Sequence, residues 1–223
     1  MSRSELPAHL ARKLIPWLVV SAATAVSIVP AAAHHPMGGE LPSTFTQGLL
    51  SGLGHPVIGP DHFAFVLGIG LLAAIAGFGA MLPVAFVCAM GLGLAVHLAG
   101  FGLPAAEIFV AASVALIGLA VAWRHAGRNT WLEGGAFALA GVFHGYAMAE
   151  SIIGAEAGAL GGYVIGLVAV QATIALMAWS IATRIGIAGE TPRLSPVIVR
   201  TAGVMIFLVG AAFLVQTAAI AAR

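Results

Sequence analysis

Residues 55–62 read HPVIGPDH and place two imidazoles and a carboxylate where a long apolar run begins. Only 8% of the 223 residues are Asp, Glu, Lys or Arg, and 61% are hydrophobic. Soluble domains are about 45–50% apolar, so the composition predicts an all-α integral membrane protein. Ionisable side chains are expensive at membrane depth, which makes His55, Asp61 and His62 candidate functional residues. Imidazole combined with carboxylate is a ligand set that suits divalent transition metals.

The first 33 residues are typical of a signal peptide. A basic start precedes an apolar stretch, residues 14–29, and an A-x-A cleavage site at residues 31–33. An uncleaved first transmembrane helix is the alternative, although residues 14–29 are short for a span. With cleavage, residues 34–54 form an extracytoplasmic leader and interfacial segment, and residues 55–223 form the transmembrane domain.

Six apolar segments follow, each near the roughly 20 residues that a transmembrane helix requires. Residues 45–54 precede them, are too short to span, and predict an interfacial or re-entrant helix. Pro56, Gly59 and Pro60 disfavour helix, so they predict irregular backbone between this helix and the first span. The predicted spans are residues 61–77, 81–100, 104–123, 132–153, 159–183 and 197–220.

The arginines predict the orientation of this bundle. Arg124 and Arg128 fall between the third and fourth spans, and Arg184, Arg193 and Arg200 fall between the fifth and sixth. Basic loops face the cytoplasm, which agrees with an extracytoplasmic N-terminus after signal cleavage. We therefore expect a multi-pass protein of a bacterial-type inner (plasma) membrane with both termini extracytoplasmic.

In this topology the ionisable residues of the apolar segments share the outer half of the membrane with residues 55–62. His97 ends the second span, Glu107 begins the third, and His144 and Glu150 lie in the second half of the fourth. A divalent cation would offset the cost of carboxylates at this depth, and neutral imidazole is a good metal ligand. For His97, an interfacial hydrogen bond is an equal alternative, and for Glu107 a favourable position at a helix start is one.

Three further residues are candidate metal ligands. Met148 follows His144 by four residues on the same helix face, and its thioether is a soft ligand, although core packing also explains it. His34 and His35 would begin the mature chain, where a free amine and adjacent imidazoles can chelate a metal. An ordinary disordered leader is the alternative for these two histidines.

Glycines at four-residue spacing predict close contacts between helices. Gly141 and Gly145 form one such pair, and Gly162 and Gly166 form another. A homo-oligomer is a candidate assembly, the lipid bilayer is the expected surrounding, and the absence of a Lys/Arg cluster argues against nucleic acid.

The stretch HPVIGPDH, with its His-x5-Asp-His core, and FHGYAMAE at residues 143–150 resemble the motifs of the HupE/UreJ family of membrane proteins. LPAAE at residues 103–107 and a signal peptide ending before histidine reinforce the resemblance, which covers nearly the whole mature chain. It implies a secondary permease for nickel, or in some members cobalt. The family's second motif usually reads FHGxAHGxE, so Met148 and Ala149 replace a histidine and a glycine, a change toward a softer ion. The functional residues that the resemblance implies are His55, Asp61, His62, His144 and Glu150.

We therefore expect a transporter, not an enzyme, with a divalent metal ion as its substrate and no resident cofactor. The chain has no Walker A motif and does not itself use ATP. Two other classes stay open. One is an intramembrane metal-dependent hydrolase with three ligands and an acid/base carboxylate. The other is a haem-binding electron carrier with His97 and His144 as the axial pair.

Overall fold

The computed structural model describes residues 40–124, 130–187 and 195–222. In these ranges the regular elements are seven α-helices and a short 3₁₀ turn at Glu150–Ile152. The predicted signal peptide, His34 and His35 lie outside the described residues. The helices are α1 (Phe45–Ile58), α2 (Pro60–Ala76), α3 (Met81–Leu98), α4 (Ala106–Ala122), α5 (Thr130–Ala149), α6 (Ala157–Arg184) and α7 (Pro196–Ala221).

Each of the six predicted apolar segments forms one helix, α2 to α7. By length and hydropathy, α3, α6 and α7 are each able to cross a membrane, whereas α1 and α2 pass only as a pair bent by 77°. Helix α4 is apolar but has 17 residues, or ~25 Å at 1.5 Å per residue, which is short of a ~30 Å hydrocarbon core. The described part of the chain thus shows three spans by these criteria, or four with the bent pair, where the sequence predicted six.

The bend between α1 and α2 is centred on Gly59. Pro60 disfavours a helical residue before it, and Gly59 is extended, with φ −79° and ψ 102°. Pro60 then begins α2, where its missing N–H costs little. The prediction of irregular backbone is confirmed at Gly59 and was wrong at Pro56, because α1 continues through His55 to Ile58. The carbonyl of His55 accepts the amide of Gly59 at 3.0 Å, which closes the last turn of α1.

Helix α1 packs against the first half of α6 through glycines on both helices. A Cβ added at Gly48 or Gly52 would overlap a backbone carbonyl of α6. One added at Gly162 or Gly166 would overlap a backbone carbonyl of α1. The close approach predicted from the spacing of Gly162 and Gly166 is confirmed, and α1 is an integral part of the bundle.

Two more helix pairs are packed in the same way, and α2 lies between all three pairs. Helices α3 and α5 meet through Gly93, Gly141 and Gly145, which confirms the second predicted glycine pair. Gly70 brings the backbone of α2 against that of α6. The core surrounds α2, which packs against α1, α3, α4, α6 and α7 and touches α5 through the side chain of His144. The third pair, α4 and α7, meets through Gly118, Gly203 and Gly210.

Candidate metal site

The bend between α1 and α2 opens on a cavity of about 270 Å³. His55, Asp61 and His62 line it from the bend, Glu107 from the first turn of α4, and Glu150 from the 3₁₀ turn after α5. The last turns of α7 complete the wall. Five of the candidate ligands predicted from the sequence therefore lie around a single cavity at one end of the bundle.

This end of the bundle is acidic and the other end is basic. Three carboxylates line the cavity, and none of the described Lys or Arg residues does. Arg124 lies after the far end of α4 and donates from Nη2 to the Ile187 carbonyl at 2.6 Å. Arg184 ends α6 and Arg200 lies near the start of α7. A cation in the cavity therefore meets negative charge without a competing positive side chain from the described chain.

Asp61 is the best evidence for a cation at this position. Its side chain is buried, and Oδ1 has no hydrogen-bond partner in the described residues. A buried charged group without a partner is costly, so a cation in the cavity would offset that cost. Oδ2 lies 4.0 Å from Nε2 of His62. Zinc binds such nitrogen and oxygen atoms at roughly 2.0–2.2 Å in a tetrahedral arrangement, which places two ligand atoms about 3.3–3.6 Å apart. The two side chains would therefore have to move closer together to share one ion.

His62 is hydrogen-bonded to His144. The two Nδ1 atoms are 3.1 Å apart. His144 is fully buried and does not line the cavity. Its Nε2 lies 2.9 Å from Oγ of Ser113, which donates to the Val110 carbonyl at 2.7 Å. Both ring nitrogens of His144 are thus occupied within the protein.

His55 lies at the end of a short chain of hydrogen-bonded hydroxyl groups, those of Ser151 and Tyr163. Its Nδ1 lies 3.3 Å from Oγ of Ser151. That hydroxyl is 3.1 Å from the Tyr163 hydroxyl, which in turn donates to the Met148 carbonyl at 2.7 Å. Ser113, Ser151 and Tyr163 were not among the functional residues predicted from the sequence. They could have been recognised as hydroxyl-bearing residues in apolar segments, because such a hydroxyl requires a hydrogen-bond partner in a membrane.

Two candidate ligands lie away from the cavity. His97 is 2.7 Å from the Tyr146 carbonyl and stacks on the Tyr146 ring at 4.0 Å, beside a separate cavity of about 360 Å³. Met148 is fully buried in the core, where Nε2 of Gln171 donates to its sulfur at 3.1 Å. These contacts agree with the hydrogen-bonding alternative for His97 and the packing alternative for Met148.

The cavity side chains do not form a finished coordination shell. Across the described ranges, no three His, Cys, Asp or Glu side chains are arranged so as to hold a metal ion as they stand. Full coordination of an ion therefore requires side chains around the cavity to move toward it.

Comparison with known sequences identifies the family. The pattern of the HupE / UreJ proteins matches residues 22–213 of the chain. The chain belongs to the HupE/UreJ family. Protein HupE of Rhizobium leguminosarum bv. viciae is 30% identical over 202 residues, which cover 88% of this chain and 97% of that protein. No solved structure matches this HupE/UreJ member.

Ser151 occupies the last position of the second HupE/UreJ motif. Counted along the pattern FHGxAHGxE from Phe143, the final glutamate falls at Ser151 in this chain and not at Glu150. Ser151 is buried in the cavity wall beside His55, and Glu150 is exposed at the cavity. The metal-binding role of Glu150 therefore remains a prediction that rests on its position in the cavity.

Proposed function

We propose that this protein is a secondary transporter that captures a divalent transition-metal ion, nickel or cobalt, outside the cytoplasm and releases it inside. The observation that carries the proposal is the buried, unpartnered Oδ1 of Asp61 beside His62 in an acidic cavity. Membership of the HupE/UreJ family supports nickel or cobalt as the substrate. Nitrogen and oxygen donors together suit both ions.

In this proposal the protein spans a bacterial inner membrane six times, through α2 to α7, and α1 is a re-entrant helix. The basic end of the bundle faces the cytoplasm, so the cavity faces outward. Helices α2 and α4, the two shortest of the six at 17 residues each, both border this cavity. Signal cleavage leaves both termini outside.

Each cavity residue has a distinct role in capture. Glu107 and Glu150 are exposed and raise the local concentration of cations at the mouth. Asp61 and His62 form the inner binding position, and His55 approaches from α1, its ring centre 5.7 Å from that of His62. His144 orients His62 from the core.

The test is metal uptake in cells that lack their own importers for nickel, cobalt, zinc and copper. We expect the wild-type protein to import nickel or cobalt, and His55→Ala and His62→Ala to lose most of that uptake. Glu156→Gln is the matched control, because Glu156 is an exposed carboxylate at the same end of the bundle that does not line the cavity. Absence of nickel and cobalt uptake, or full uptake in both histidine variants, would refute the proposal.

Metal content separates transport from the hydrolase alternative. A transporter must release its ion, so we expect dialysis to remove nickel or cobalt from the purified protein. Tightly retained stoichiometric zinc would favour the hydrolase instead. The haem alternative has no support from the geometry, because both ring nitrogens of His144 are already occupied.

Gly59→Ala is expected to weaken ion binding without unfolding the protein. The Cβ would lie 3.1 Å from Cδ2 of His62 and 3.3 Å from Oδ1 of Asp61, which crowds the inner position. Alanine adopts the backbone angles of Gly59 freely, so thermal stability changes little. We expect a severalfold rise in the KM of uptake, and none for the control Gly91→Ala, whose Cβ meets nothing within 4 Å. An equal KM in both variants would contradict this reading of the bend.

A further inference from the structure

A chain of hydrogen bonds runs from the Val110 carbonyl to His62 at the cavity. It determines which ring nitrogens of His144 and His62 carry protons. The Ser113 hydroxyl has one proton, and the Val110 carbonyl 2.7 Å away only accepts. The proton is donated there, so Oγ of Ser113 accepts from Nε2 of His144 at 2.9 Å. His144 therefore carries its proton on Nε2.

The hydrogen bond between His144 and His62 then determines the tautomer of His62. His144 is completely buried and stacks on Phe65, with ring centres 4.1 Å apart, where an unpaired charge is expensive. In a neutral ring with Nε2 protonated, Nδ1 is an acceptor. It faces Nδ1 of His62 at 3.1 Å, so His62 must be the donor. A neutral His62 ring that donates from Nδ1 carries its lone pair on Nε2.

The lone pair lies on the nitrogen nearest Asp61. Nε2 of His62 and Oδ2 of Asp61 are 4.0 Å apart, and both present electron pairs in this arrangement. The opposite tautomer would place an N–H at this position, and a protonated nitrogen cannot coordinate a metal. The second partner of a ligating histidine commonly fixes its tautomer in this way.

We infer that Ser113, acting through His144, is a positioning residue that keeps the metal-binding nitrogen of His62 unprotonated and directed toward Asp61. Ser113 does not line the cavity, so it acts only through the hydrogen bonds. His144 is an orienting residue in this arrangement and not a ligand. The metal-binding part of the inference rests on the proposed function, whereas the tautomer of His62 does not.

The experiment is ¹⁵N NMR of histidine side chains in the purified, metal-free protein, with the His62 signals assigned by His62→Gln. We expect wild type to show His62 protonated on Nδ1 and Ser113→Ala to show a mixture of tautomers. Nickel affinity, measured by calorimetry, is expected to fall by about 10–100-fold in Ser113→Ala, the usual effect of losing an outer partner. Ser113→Thr keeps the hydroxyl and is expected to restore both properties.

Thr173→Val is the matched control. Thr173 also donates its hydroxyl to a backbone carbonyl, that of Ala169 at 2.7 Å, but is exposed on α6 and does not contact an imidazole among its described partners. We expect its His62 tautomer and nickel affinity to equal those of wild type. A loss in Thr173→Val as large as that in Ser113→Ala would overturn the inference, because the effect would then come from the helix hydroxyl alone.

A second pair of variants covers the case in which Ser113→Ala does not fold. In His144→Asn the amide oxygen replaces the accepting Nδ1, so we expect the His62 tautomer to be kept, and His144→Leu to lose it. Protonation of wild-type His62 on Nε2, or an unchanged tautomer in His144→Leu, would overturn the inference. Absence of nickel binding with the tautomer pattern as expected would overturn only the proposed function.

Discussion

We expect Asp61→Asn to reduce nickel or cobalt uptake at least tenfold, about 1.4 kcal/mol of ion binding, without loss of fold. Asparagine has almost the same shape as aspartate but lacks the charge. In the ion-free protein, the buried Oδ1 of Asp61 has no partner within the described residues. An unpaired buried charge is costly, so we expect its removal to leave stability unchanged or raise it while ion binding falls.

Thermal unfolding with and without nickel measures both effects of Asp61→Asn. A ligand at 100 times its dissociation constant stabilises the folded state by about 2.7 kcal/mol, so wild type is expected to gain in Tm on nickel addition. Asp61→Asn is expected to match or exceed the wild-type Tm without nickel and to gain little with it. Glu156→Gln, the carboxylate outside the cavity, is expected to behave as wild type. An equal nickel-dependent gain in Asp61→Asn would remove Asp61 from the binding position.

Gly145→Ala is expected to have the largest effect on stability. The added Cβ would overlap the backbone carbonyl of Met90 on α3, and a carbonyl cannot rotate away as a flexible side chain can. Overpacking of a tight contact costs about 1–3 kcal/mol, and separation of α3 from α5 would also displace the neighbouring His144. We therefore expect a lower Tm in detergent together with weaker nickel binding.

Gly135→Ala on the same helix is the control for Gly145→Ala. A Cβ at Gly135 meets nothing within 4 Å, and alanine favours a helix over glycine by up to about 1 kcal/mol. We expect its Tm to equal or exceed that of wild type. Similar losses of Tm in the two variants would show that the close contact between α3 and α5 does not limit stability.

Hydropathy predicted the helices well because a long apolar segment leaves the backbone few other ways to satisfy its hydrogen bonds in lipid. It predicted the extent of α1 poorly. Pro56 predicted a break, yet it lies inside the last turn of α1, where a proline removes only one N–H. Fewer helices meet the length criterion for a span than were predicted, since α2 and α4 have only 17 residues each.

The sequence predicted the meeting of His55, Asp61 and His62, since eight adjacent residues with a bend between them cannot lie far apart. It did not predict the roles of their neighbours. Ser113 and His144 are 31 residues apart and on different helices, so their contact depends on how two helices are rotated about their axes. The same rotation directs His97 onto Tyr146 and away from the cavity, and periodicity in such uniformly apolar helices does not reveal it.

The glycine contacts described above join the helices into three closely packed groups. Helices α1, α2 and α6 form one, α3 and α5 the second, and α4 and α7 the third, because within each group helices meet through their backbones. His62 belongs to the first group, His144 to the second and Ser113 to the third. Each of the two hydrogen bonds that orient His62 therefore crosses a boundary between groups. If the proposed transporter works by movement of one group against another, that movement would break these bonds and free the His62 ring.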